Sequence, residues 1–215
     1  MHAIVLLSGG LDSTTVAAHA VLAPDARHLV GGTFGTGIGG GLAVDGRLVH
    51  GATGFAGEPG HMVVDPDGPL CPCGQRGCWE RYASGAGLAA LARRAAEEGR
   101  APGLASAVAD ASLLRGEHVT ALVAEGDAGA LAVFDEYAGW VALGVANLIV
   151  LLDPEVVVLG GGLIATGDEL LGRVRAALAE RFPVAVRERD VLVVGSPGGP
   201  EAGALGAALL AARSL

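Results

Sequence analysis

The chain of 215 residues contains no lysine; its 14 basic residues are all arginine, against 23 acidic ones, for a formal net charge of −9. Such an acidic balance argues against non-specific binding to nucleic acid or to anionic membrane, both of which reward clustered cations. Without lysine there is also no Gly-Lys-Ser/Thr phosphate loop. Aromatic residues make up only 4% of the chain, whereas glycine occurs 36 times, so glycine placement carries more information here than aromatic packing. Cysteine occurs three times, an odd number that excludes a complete disulfide framework. Reduced thiols of this kind point to the cytosol. Met1-His2-Ala3 has no basic region, and the apolar stretch after it is broken by Ser8-Gly9-Gly10, so no secretory leader is expected. The apolar stretch Tyr137 to Leu152 is shorter than the ~20 residues of a membrane span. Asn147 interrupts it, and a buried helix is expected instead.

The three cysteines that are present fall within eight residues, in Cys71-Pro72-Cys73-Gly74-Gln75-Arg76-Gly77-Cys78. Cys71 and Cys73 are too close to pair comfortably with each other, and Pro, Gly, Gln and Arg around them are not core neighbours. With His61 just upstream, three thiolates and one imidazole make a tetrahedral zinc set. Asp65 or Asp67 could take the place of His61 as an oxygen ligand. Glu58 and Glu80 bracket the cluster. A loop fixed by a metal can hold both carboxylates against a polyol substrate.

Along the chain, His2 to Leu7 reads as a buried strand, Ser8 to Ser13 as a glycine loop, and Thr14 to Ala23 as a helix opened by hydroxyl caps. From His28 to Ala52 strands alternate with glycine turns, and Asp45-Gly46 is a hairpin signal. A helix is expected over Ser84 to Glu98 with Leu88, Leu91 and Ala95 on one face, short helices within Gly99 to Arg115, and helix from Val119 to Leu152 broken near Gly126-Asp127. Glu155 to Leu159 reads as a strand that ends in Gly160-Gly161-Gly162. A helix over Asp168 to Phe182 follows, with Arg175, Glu180 and Arg181 facing solvent, then a strand over Asp190 to Val194 and a small-residue helix from Glu201 to Leu215. This order argues an α/β layered fold with a mixed sheet. Two glycine loops can approach phosphate closely: Gly35-Thr36-Gly37-Ile38-Gly39-Gly40-Gly41, and Gly160 to Gly162 at a strand's carboxyl end.

Glu58-x-Gly60-His61 and Cys71-x-Cys73-Gly74-x-x-Gly77-Cys78-x-Glu80 resemble the two signature segments of the ROK family of sugar kinases and sugar-responsive repressors. Gly51 to Glu58 and Cys78 to Gly85 look like its bacterial glucokinase branch. The resemblance implies the C-terminal lobe of an actin-like, ribonuclease-H-like ATPase fold over residues 25–215, with a zinc-braced loop. It implies transfer of the ATP γ-phosphoryl group, with Mg²⁺, to a hydroxyl of glucose or a related hexose. Glu58, His61 and Glu80 would bind sugar hydroxyls. His61, Cys71, Cys73 and Cys78 would hold structural zinc. Thr36, Gly37, Gly161 and Gly162 would contact ATP.

The sequence departs from that family at its start. The family's Asp-x-Gly-Gly-Thr loop and its Asn-Asp-Ala-Asn segment, whose Asp is the catalytic base, do not occur. Val5 to Val16 instead resembles the PP-loop of ATP pyrophosphatases of the queuosine-precursor synthase type, as a strand-turn-helix segment over residues 1–24. Asp12 is then a candidate surrogate base. The expected function is a glucokinase-like kinase impaired by the missing lobe. The alternatives are a non-catalytic sugar-binding or oligomerising module, and a PP-loop pyrophosphatase fragment. Loss of a lobe would uncover apolar surface, so a homo-oligomer is expected.

Overall fold

The computed structural model describes residues 25–162, 168–186 and 191–195. The expected segment 1–24, with Asp12, and the expected helix over 201–215 lie outside the described residues. Five strands form one sheet in the order β3-β2-β1-β4-β5. They are β1 (Leu29–Phe34), β2 (Ile38–Val44), β3 (Arg47–Leu48), β4 (Val156–Gly160) and β5 (Leu192–Gly195). β1, β2 and β3 pair antiparallel, while β4 runs parallel to β1 and to β5. The sheet is therefore mixed, as expected. Asp45 and Gly46 both have positive φ, 53° and 74°, and make the tight turn between β2 and β3 that the Asp-Gly pair requires.

The facing middles of β1 and β2 are almost without side chains. Gly31 pairs with Gly41, Gly32 with Gly40, and Thr33 with Gly39. Here the expected seven-residue glycine loop is corrected: Ile38 to Gly41 belong to β2, and only Gly35 to Gly37 form the connection. The bare strand pair leaves room for another backbone to lie on it. A Cβ on Gly40 would stand 2.4 Å from the Pro59 ring, and one on Gly60 would stand 2.2 Å from the Ile38 carbonyl oxygen. The 3₁₀ turn Pro59–His61 thus rests directly on β2.

The helices are α1 (Glu80–Ala83), α2 (Gly85–Glu97), α3 (Pro102–Ser106), α4 (Gly116–Ala124), α5 (Ala128–Leu152), α6 (Asp168–Arg181) and α7 (Pro183–Val186). α2 begins where its sequence says it should: the Ser84 hydroxyl accepts the Gly87 N–H at 3.2 Å. Leu88, Leu91 and Ala95 are buried, as their spacing predicts. Asp127 caps α5 by accepting the Ala130 N–H at 2.8 Å, and α5 ends on Asp153 in the left-handed conformation, just before Pro154.

α5 is 25 residues long, which corrects the length argument against a membrane span: by length and composition alone this helix could cross one. Its surroundings decide otherwise. Phe134, Tyr137, Val141, Val145 and Ile149 are buried in the main core with α2, α4 and α6. Its charged residues Glu136 and Asp135 pair with Arg94 of α2 and Arg173 of α6. Val150, Leu151 and, on α7, Val184 remain exposed. They line an apolar groove of about 570 Å³ with Phe182. Arg175, expected to face solvent, donates twice to the Val193 carbonyl and ties α6 to β5.

The tightest seat in the core belongs to Trp79. Its indole lies on Gly144 of α5, where a Cβ would fall 2.0 Å from the ring. Its Nε1–H donates to the Trp140 carbonyl at 2.7 Å, and Phe34 meets it edge-on at 5.5 Å. Replacing Gly144 by valine is expected to cost roughly 1–3 kcal/mol, the usual price of overpacking. Urea unfolding of Gly144→Val should show a lower midpoint than wild type; an unchanged midpoint would contradict this packing.

Candidate functional site

The Cys-rich loop folds back on itself through two antiparallel bridges, Val63 with Cys78 and Leu70 with Arg76. Gly77 has φ of 66°, and a Cβ there would stand 1.5 Å from the Asp65 carbonyl oxygen, so only glycine lets the two arms close. Asp65 accepts the Tyr82 hydroxyl at 2.6 Å through one carboxylate oxygen and the Asp67 N–H at 3.2 Å through the other. Tyr82 in turn stacks on Trp140 at 4.1 Å between ring centroids. The loop is braced to α5 at two points, by Trp79 and by Tyr82.

The brace brings His61, Cys71, Cys73 and Cys78 together, with one ligand atom from each within 4.8 Å of all the others. Cys73 and Cys78 sulfurs are 3.6 Å apart, and the Cys71 sulfur lies 3.8 Å from His61 Nδ1. A tetrahedron with metal–sulfur bonds of ~2.3 Å has sulfur–sulfur edges of ~3.8 Å. The four residues therefore fit a tetrahedral ion. His61, and neither Asp65 nor Asp67, is the residue that stands grouped with the three cysteines; Asp65 braces the loop instead.

The thiols differ in their electrostatics. Burial pushes Cys71 up to about 12, and burial also raises Cys78. Exposed Cys73 is lowered, chiefly by the backbone N–H of Gln75.

Glu80 is the first residue of α1 and stands between this cluster and the β1–β2 turn. Its Oε1 is 3.1 Å from the Cys71 sulfur, and its Oε2 accepts the Ile38 N–H at 3.4 Å. Glu58 opens the 3₁₀ turn; its carbonyl accepts the His61 N–H at 3.2 Å. Its side chain caps nothing.

The two glycine loops meet because β1 and β4 are parallel neighbours, with Thr33 opposite Gly160. Thr36 and Gly162 line one cavity of about 540 Å³, which also reaches Arg93 of α2 and Arg115 at the start of α4. Gly37 and Gly161 do not line it. A Cβ on Gly37 would stand 2.7 Å from Glu80 Oε2, and one on Gly161 would stand 2.3 Å from the Phe34 carbonyl oxygen. Those two glycines permit close backbone approach, and their neighbours face the cavity. Sequence reasoning did not find Arg93 and Arg115, which sit in no motif and reach the cavity only through the packing of α2 and α4. Asp12 lies outside the described residues.

The family model for ROK proteins matches residues 11–214. The chain belongs to the ROK family. The match begins inside the segment read as PP-loop-like. The mixed sheet with its helices is the actin-like ATPase fold of that family. The chain is 37% identical over 189 residues to a glucokinase of Streptomyces coelicolor, covering 86% of this chain and 59% of that protein. It is 38% identical over 190 residues to an N-acetylmannosamine kinase of Citrobacter koseri, covering 88% and 59%. Among solved structures, a ROK glucokinase from Streptomyces griseus in complex with glucose and AMPPNP superposes with a TM-score of 0.82 at 32% identity, covering 94% of this chain and 66% of that one. The chain thus spans about three fifths of the length of the curated relatives it matches.

The seat of the Glu58–His61 turn on β2 yields a direct test. Gly60→Ala places a methyl group against the Ile38 backbone, which cannot yield as a side-chain tip can. Thermal unfolding should show a loss of about 1–3 kcal/mol. A melting curve identical to wild type would mean that the turn does not sit where it is described.

Proposed function

We propose that this ROK chain is the hexose- and nucleotide-binding part of a glucokinase-like sugar kinase, with zinc as a structural ion. The observation that carries the reading is the placement of Glu80. One residue stands against both the Cys/His cluster and the turn whose Thr36 lines the cavity that Gly162 shares. Glu58, His61 and Glu80 then accept from or donate to sugar hydroxyls, and carboxylates are suited to reading the stereochemistry of a polyol. His61 Nδ1 faces Cys71, so a metal there leaves Nε2 for the sugar and fixes the tautomer. Bound zinc supplies loop rigidity; the chain's own groups do the recognition. Thr36 and the Gly162 backbone contact the ATP phosphates, with Gly37 and Gly161 shaping the backbone. Arg93 and Arg115 add positive charge to a cavity in an otherwise acidic chain.

Phosphoryl transfer depends on positioning and on charge stabilisation around the phosphates. The sequence has no Asn-Asp-Ala-Asn segment, and the role of Asp12 as a substitute base stays a proposal. On this reading the isolated chain binds its ligands better than it turns them over. Glucose is the first sugar to test. The similar identities to a glucokinase and to an N-acetylmannosamine kinase make N-acetylmannosamine the second. A cytosolic site and reduced thiols belong to the same reading, as does self-association through the apolar groove at Leu151 and Val184.

Two experiments test it. Metal analysis of the purified protein should give one zinc per chain, and Cys78→Ser should abolish that stoichiometry and lower the melting temperature. Because buried Cys71 and Cys78 must lose protons to ligate, apparent zinc affinity should fall as pH is lowered. A protein with no zinc and an unaltered melt on substitution would remove the metal from the proposal. Calorimetry with glucose and with N-acetylmannosamine should show binding of one of them, lost at least tenfold in Glu58→Ala. Absence of heat with either sugar, at millimolar ligand, would overturn the assignment.

A further inference from the structure

The Gly35–Ile38 turn is held by the segment that leaves the Cys/His cluster. The Gly85 N–H donates to the Gly35 carbonyl at 2.8 Å, and Glu80 Oε2 accepts the Ile38 N–H at 3.4 Å. The turn's two partners, Gly85 and Glu80, both lie within seven residues of Cys78. α1 is launched from that ligand: the Arg81 N–H bonds the Cys78 carbonyl at 2.9 Å. The Glu80 carboxylate is then wedged between the Cys71 sulfur and the turn. Gly37 is a glycine because the carboxylate needs its space: a Cβ would stand 2.7 Å from Oε2.

We propose that Glu80 is a positioning residue for nucleotide, through which the Cys/His cluster fixes the turn that carries Thr36. The inference rests on the nucleotide assignment of the Thr36 cavity but concerns a different link, the one between metal and turn. A cluster that holds Cys71 and Cys78 in place holds Glu80 at a fixed distance from β2. Glu80 in turn fixes the Ile38 amide and, two residues away, the backbone on which Thr36 sits. When the cluster is opened, α1 loses its anchored origin and the turn loses its acceptor. Two sites joined by one carboxylate in this way are coupled, and coupling is reciprocal: nucleotide binding should tighten metal binding by the same factor.

The experiment has two readouts on the full chain. The first is hydrogen exchange at the Ile38 amide, followed by NMR without any ligand. Protection should be present in the zinc-loaded protein and should fall on chelation, in Glu80→Ala and in Gly37→Ala. It should be retained in Glu80→Gln, whose amide oxygen still accepts. The second is affinity for AMPPNP. Glu80→Ala and Gly37→Ala should weaken it about fivefold, in keeping with one lost hydrogen bond, while zinc-loaded Glu80→Gln should bind it as wild type does. Glucose affinity should fall in Glu80→Gln, because the charged acceptor is gone; a merely structural role for Glu80 would not separate the two ligands. Ile38 protection equal in loaded, chelated and Glu80→Ala protein would overturn the inference, even if AMPPNP binds. Ile38 protection that follows the metal, with no AMPPNP binding in any form, would keep the metal-to-turn link and remove the nucleotide assignment. Should chelated protein unfold, the zinc-loaded Glu80→Ala and Glu80→Gln pair decides the question alone.

Discussion

The seat of the Trp79 indole on Gly144 is the contact from which the rest of the site is built. It lies between Cys78, a member of the Cys/His cluster, and Glu80, the carboxylate that faces β2. With the ring buried and its N–H bonded to the Trp140 carbonyl, the backbone on either side has little freedom left. Cys78 must then present its sulfur toward the loop, and Glu80 must start α1 beside the strand pair. A loop of glycines and prolines has no core of its own. It takes its rigidity from one large side chain anchored in a helix that is itself buried along most of its length.

The second constraint is the absence of side chains at the centre of β1 and β2. The Pro59 ring lies on Gly40, and a larger side chain there would hold the Glu58–His61 turn away from the sheet. Glycine at 40 on the strand and at 60 on the turn brings the two together, and with them His61 toward the cysteines. The same strand pair ends in the Gly35–Gly37 connection, and the parallel neighbour β4 ends level with it at Gly160. Sheet order, and not sequence distance, therefore places Thr36 and Gly162 on one cavity although more than 120 residues separate them along the chain.

What could be read from the sequence follows from how local each signal is. Ser84 as a helix cap, Asp45-Gly46 as a hairpin turn and the break at Gly126-Asp127 depend on a few neighbouring residues, and each stands where the residues point. The Cys/His set was legible because three cysteines in eight residues, set among turn formers, have few other uses. The seven-residue loop over Gly35 to Gly41 was misjudged because glycine gives no period by which a strand can be recognised, and pairing with Gly31 and Gly32 supplies what propensity does not. That His61, and not Asp65 or Asp67, joins the three cysteines depends on how the loop folds, which spacing alone does not state. Arg93 and Arg115 were invisible because nothing in their neighbourhoods marks them; the fold, not the chain, brings them to the cavity.

Electrostatics bears on why carboxylates stand beside such a cluster. Three thiolates and a neutral imidazole around a divalent ion carry one net negative charge. Glu80, within 3.1 Å of one of those sulfurs, then faces a like charge across a short gap. An anion in that position is stable only if hydrogen-bond donors meet it on its other side. The Ile38 N–H is one donor, long at 3.4 Å and insufficient for a carboxylate that accepts several. Sugar hydroxyls offer further neutral donors in fixed directions, and they add no charge to an already acidic chain. Neutral hydroxyl donors would therefore suit Glu80 better than an anion would, whereas the cavity across the turn carries Arg93 and Arg115. A single carboxylate on the boundary touches both the Cys/His cluster and the turn, and so holds the two in register.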